Sequence, residues 1–265
     1  WSRLKAHELR ALAAANAVVI LPIASIEQHG PHLPTMTDTR LGYEINIRAA
    51  RKAVAGGRPT VVAPVVWSGL SEHHMPFGGT LTLSHATFRA VLRDLIDSII
   101  RHGFRDILIS NSHGGNQIAM QQICDELAPT CPATLVATTY VSEAGTSLSQ
   151  HCQDQPGVMH AGEAETSMMM AVEPGLVDAS DLGSLVQGMD GAGFLKAGKA
   201  SYRWRPFPHV TANGLAGNPT RASAEKGERM IEAGAEALAA LILDTGTWAA
   251  PGDRRGAGTQ GVPFR

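Results

Sequence analysis

The chain has 265 residues, with 22 Lys+Arg against 24 Asp+Glu for a formal charge of −2. That length suits one large α/β domain with a sizeable core, and so small a charge leaves no electrostatic footprint for nucleic acid or an anionic membrane surface. The longest apolar runs are strand-length, short of the roughly 20 residues a membrane helix needs.

In chain order, residues 3–15 read as a short helix, and "VVILPI" (18–23) as a first central strand. Residues 39–54 predict a helix closed by Gly56 and Gly57, and "TVVAPVV" (60–66) a second buried strand. From His85 to His102, Phe88, Val91, Leu92, Leu95, Ile96 and Ile99 recur at helical spacing, with Gly103 placed to end the helix. "DILIS" (106–110) follows as a third strand, then a helix over 116–127, a strand over 133–141, a helix over about 162–173 and a long one over about 222–244. Strands alternating with helices imply α/β architecture, a largely parallel sheet covered on both faces. The stretches 142–159 and 185–220 are polar and longer than ordinary connections, as functional loops often are. Residues 1–248 are read as one domain and 249–265, without periodicity, as a flexible tail or an arm onto a neighbour. Cys124, Cys131 and Cys152 are odd in number and lack C-x-x-C spacing, so neither a disulfide framework nor a structural zinc site is expected, and a reducing cytoplasm is the simplest setting. The chain opens at Trp1 instead of Met, so a trimmed or renumbered N-terminus is expected.

The polar clusters fall where such a sheet binds ligands, at the carboxyl ends of its strands. "EQHGPH" (27–32) follows the first strand, "SEHHMPFGGTLTLS" (71–84) the second and "NSHGGN" (111–116) the third, while "MHAGEAETS" (159–167) runs from the long loop into a helix. Glu27 and His29, two apart in an extended segment, leave on the same side, as two ligands of one metal site require. Asp38 opens a helix and reads either as an N-cap or first-turn acid favoured by the helix dipole or as a carboxylate bridging two cations. His113 ends its strand in a turn where Gly114 and Gly115 permit close approach of a ligand. Glu163 and Glu165 both fall in a first helical turn; Glu165, nearer the apolar run, is the better ligand candidate. His160, outside that helix, suits a proton shuttle.

Taken in order, "SIEQHGPHLP", "TDT", "SEHHMPFGGTLTLS", "NSHGGN", "HAGEAETS" and "GLAGNPTRASAEKG" (214–227) resemble the signature blocks of the creatininase family over roughly residues 10–240. The resemblance implies a three-layer α/β/α fold and a two-metal hydrolase that often assembles as a hexamer. By motif position, Glu27, His29, Asp38 and His113 would be metal ligands with Asp38 bridging, Glu165 would sit at the site as catalytic group or ligand, and His160 would assist proton transfer. Ser71 and His73, with the backbone of Gly114 and Gly115, would contact substrate or a developing oxyanion. Creatininases proper read "GHYEN" where this chain has Gly114 and Gly115, so the glutamate supplied there is absent and the chain resembles a broader "HGGN" branch.

The expected chemistry is hydrolysis of a cyclic or formyl amide of a small molecule, by a hydroxide held between two divalent ions about 3.5–4 Å apart. Carboxylates and imidazoles without thiolate suit Zn, Mn or Fe, and among these the resemblance favours Zn or Mn. Trp67, Trp204 and Phe207 with Arg203 and Arg205 suggest a wall for a small anionic substrate. The alternatives are a lactone- or peptide-cleaving metal hydrolase of the same fold and a binding protein without catalysis.

Overall fold

The computed structural model describes residues 1–186, 202–258 and 261. Its helices and strands, in chain order, are α1 (Ala6–Ala14), β1 (Val18–Ile23), α2 (Thr37–Ala55), β2 (Thr60–Val62), α3 (His85–Arg101), β3 (Asp106–Asn111), α4 (Gln117–Leu127), β4 (Thr134–Thr139), α5 (Tyr140–Ala144), α6 (Thr146–Ser149), α7 (Glu163–Val172), α8 (Leu182–Leu185) and α9 (Ala224–Leu243). The four strands form a parallel sheet in the order β2-β1-β3-β4.

Every residue of β1 and β3 is buried, as strands covered on both faces require. Val19, Leu21 and Ile23 with Ile107 and Ile109 face a core closed by Phe88, Leu92, Ile96 and Ile99 of α3 and Met120 and Ile123 of α4. Their neighbours Val18, Ile20 and Leu108 face the opposite way, onto Ala50 and Ala53 of α2 and Ile242 of α9. This period of two produces the three layers. A third cluster joins α2, α5, α7 and α9 through Ile45, Tyr140, Met168 and Leu238.

Two expectations change. β2 covers three residues of the seven predicted, because Pro64 has no N–H to donate; beyond it Val66 keeps only a bridge to Ile23, with Val66 N donating to Pro22 O at 2.9 Å. The loop 142–159 begins helically, through the end of α5 and α6. In the second long loop, residues 187–201 lie outside the described residues, as do 259, 260 and 262–265 of the predicted tail.

α3 begins where Ser84 accepts from Thr87 N at 3.1 Å and ends before Gly103, whose φ of +97° is one glycine adopts without strain. For function the register matters most. Ile23 pairs with Asn111 and Asn111 with Thr139, so β1, β3 and β4 end in line and release their following loops at one edge.

Candidate metal centre

At that edge Asn116 ties the loops together. Its side chain donates to Ala24 O at 3.0 Å and accepts from Leu70 N at 2.9 Å, fixing the segments after β1, β2 and β3 against one another. Ser25 and Ser71 share a short hydroxyl contact, and Ser71 Oγ lies 3.3 Å from His113 Nε2.

Glu27, His29, Asp38, His113 and Glu165 converge on one buried spot, none of them more than 8% exposed. His29 Nε2 lies 3.2 Å from Asp38 Oδ1 and 3.6 Å from Glu165 Oε2. His113 Nδ1 lies 3.0 Å from Asp38 Oδ2 and 3.3 Å from Glu27 Oε1. Asp38 therefore stands between the two imidazoles, one carboxylate oxygen toward each; it lies in the first turn of α2, where Met36 is the cap, and its side chain is turned into the protein.

The far side of each ring fixes its near side. His29 Nδ1 is 3.0 Å from Glu27 O, and His113 Nε2 is 3.1 Å from Leu70 O, both contacts in which the ring must donate. In the neutral rings, lone pairs then face the carboxylates. Among the described residues, His29 Nε2 and Asp38 Oδ2 are buried without a hydrogen-bond partner. Lone pairs held this close, in so costly a setting, require a cation or proton between them. Two donors about 2.0–2.1 Å from a tetrahedral ion are themselves about 3.3 Å apart. The residues present fit a divalent metal: Glu27, His29 and Asp38 have ligand atoms within 4.8 Å of one another, as do His29, His160 and Glu165.

Electrostatics tell the same story. Burial opposes charge on His29, but Asp38, Glu165 and Glu27 outweigh it and raise the imidazole to about 10. Burial, with Asp38 and Glu27 nearby, lifts Glu165 to about 7 against the pull of His29. His160 is held well below the ordinary histidine range by burial and by His29 and His74. Its Nε2 donates to Gln28 O at 2.8 Å, which leaves Nδ1 3.5 Å from Glu27 Oε1. The next residue, Ala161, has φ of +55°, a strained value for a residue with a Cβ, and its N–H donates to Glu165 Oε2 at 2.6 Å.

Gly114 and Gly115 lead into α4 through a short 3-10 turn in which Asn116 N donates to His113 O at 3.2 Å. Glu163 is placed elsewhere: fully buried at the start of α7, it accepts from Lys226 Nζ at 2.6 Å and Gln153 N at 2.8 Å. Of the expected substrate wall, Phe207 arrives, 4.3 Å from the His74 ring and 5.0 Å from His160 between centroids. Trp67 instead lines an apolar groove with Trp1 and Leu95, and Trp204 is 53% exposed. Sequence reasoning gave His74 no role, yet it is buried with Nε2 3.6 Å from Glu27 Oε1; its place beside His73 in the second motif was the available signal.

A parallel α/β sheet that gathers acids and imidazoles at its strand ends defines an α/β protein with a candidate metal centre. The chain belongs to the creatininase family: the family model described as creatinine amidohydrolase matches residues 2–242. It is a hydrolase of that family. Relatives include a mycofactocin precursor peptide peptidase of Mycobacterium ulcerans, 29% identical over 80% of this chain and 79% of that protein. A creatinine amidohydrolase of Pseudomonas putida is 28% identical over 66% of this chain and 71% of its own length. The solved structure described as "Creatininase Mn" superposes with a TM-score of 0.73 at 26% identity, covering 91% of this chain and 96% of that one.

Proposed function

We propose that the chain is a metal-dependent amidohydrolase that cleaves a C–N bond of a small cyclic or formyl amide at a centre for two divalent ions. The observation that carries this reading is the buried pair His29 Nε2 and Asp38 Oδ2, each without a hydrogen-bond partner among the described residues, beside two further carboxylates and a second imidazole. His29, Asp38 and Glu165 would hold one ion, and Glu27, His113 and Asp38 the second. Zn or Mn fits an oxygen and nitrogen donor set without thiolate, and Fe is compatible. Bound there, the ions supply Lewis acidity that acidifies water and polarises a carbonyl.

The chain's own groups do the rest. His160, anchored through Nε2, keeps a site-facing lone pair at Nδ1 able to take a proton from the attacking side and return it to the leaving nitrogen. The Gly114 and Gly115 amides, at a helix start, face developing negative charge. Ser71 steadies His113 and stands beside the reacting groups. Phe207 closes one side against water. The same reading has residues 1–248 as one catalytic domain with 249–265 appended, working as a cytoplasmic homo-oligomer such as a hexamer.

A second reading, cleavage of a peptide, is favoured by the peptidase relative and by the room at Gly114, where an added Cβ would meet nothing within 4 Å among the described residues. Turnover of creatinine, formamides, lactones and short peptides, each with and without chelator, separates these readings. His113→Ala is expected to reduce bound metal and to lower kcat at least about 100-fold. Full metal occupancy with unchanged turnover would remove His113 from the centre.

A further inference from the structure

Gly115 has no room for a side chain. A Cβ there would lie 2.3 Å from Leu70 O, 2.4 Å from His113 Nε2 and 3.0 Å from His73 Cε1. The turn after β3 therefore offers one imidazole, His113, and the space above its second glycine is taken by another imidazole, His73, from the loop after β2. The two rings lie nearly parallel, 13° apart with centroids at 5.7 Å. His73 is wedged between its neighbour His74, at 4.5 Å, and Phe207, at 6.2 Å. Among the described residues its contacts are ring contacts, and no protein group hydrogen-bonds its nitrogens. His73 is half-buried, so its nitrogens can bond water or take a ligand in its place. One nitrogen of His73, a carboxylate oxygen of Glu27 and a nitrogen of His113 lie within 4.8 Å of one another.

We propose that His73 is a metal ligand that, with Glu27 and His113, completes the half of the centre next to the Gly114–Gly115 turn; this rests on the two-ion reading above. It gives His73 a different part from that of a substrate contact. The neutral imidazole adds a donor without adding negative charge to a spot that already holds three carboxylates, and it stands where the turn itself can supply no side chain.

The test compares the wild type with His73→Gln, which keeps much of the ring's volume, and with His73→Ala. Zn²⁺ is titrated against a competing chelator, and the visible absorption of the Co²⁺-loaded protein is recorded. Unfolding temperatures of all three in excess chelator report whether the fold is retained, and His73→Gln serves alone if the alanine variant does not fold. The expected result is that the wild type binds two ions and that each variant holds one of them about 10-fold or more weakly, the other unchanged, with an altered cobalt spectrum. Two ions retained at unchanged affinity and spectrum overturn the proposal and leave the two-ion reading intact. Equal weakening of both ions, as a general loosening of the site would produce, also overturns it. A wild type that binds no ion removes the two-ion reading and this ligand with it.

Discussion

At the scale of single residues, two glutamates two positions apart have opposite surroundings. Glu165 faces His29 and the carboxylates of the candidate centre, while Glu163 is fully buried against Lys226, whose Nζ also reaches Gln153 Oε1 at 2.6 Å and Arg221 O at 2.8 Å. Successive residues on a helix point about 100° apart, so residues two apart leave on nearly opposite sides. Removing one member of a buried pair strands the other's charge, which costs more than the pair itself contributes. Lys226→Ala is therefore expected to destabilise the fold by about 3 kcal/mol and to expose the start of α7, while leaving the metal affinity of the folded protein little changed. Chemical denaturation and metal titration together check this; a variant as stable as the wild type would show that water replaces the ammonium at no cost.

At the scale of elements, α7 and α9 cross at Gly227. A Cβ there would lie 1.9 Å from Ser167 O and 2.3 Å from Ser167 C, both backbone atoms that cannot rotate away. Helix propensity alone favours Ala over Gly by about 1 kcal/mol, but overpacking against rigid backbone costs about 1–3 kcal/mol, so the clash wins. Gly227→Ala is expected to lower stability by about 1–2 kcal/mol, read as a lower urea midpoint. An unchanged or higher midpoint would mean that the helices part at little cost. This crossing explains part of the sequence block at 214–227. Within it Lys226 neutralises Glu163, Gly227 lets α9 approach α7, and Ala216 N donates to His160 O at 2.9 Å. The block supports the helix and the loop that carry Glu165 and His160.

At the scale of the whole molecule, the candidate ligands come from segments spread over 139 residues, from Glu27 to Glu165. Whatever binds them all stabilises the folded state against a chain in which they are far apart. With free metal at about 100 times its dissociation constant, this linkage supplies about 2.7 kcal/mol, or about 5–10 °C in Tm for a chain of this size. Chelation is expected to lower the melting temperature by that amount and re-addition of Zn²⁺ or Mn²⁺ to restore it. A melting curve indifferent to chelator would count against any ion at this site.

Much of this molecule was legible in one dimension. The apolar run of β1, the Ile107–Ile109 centre of β3 and the helical spacing of α3 are local patterns, set by the side-chain periods of strands and helices, and a parallel sheet followed from their alternation. Because such a sheet ends its strands at one edge, the clusters after β1 and β3 could be assigned to a common crevice. What the sequence by itself determined was the class of chemistry, through which residue types follow which strands. Only the tertiary structure decided that Glu165 faces His29 while Glu163 meets Lys226, that Phe207 reaches the centre while Trp67 lines a groove elsewhere, and that His73 fills the space over Gly115. The physical reason is that each of those outcomes depends on contacts between segments distant in the chain, where packing volume and charge pairing choose among directions that local patterns leave equally open.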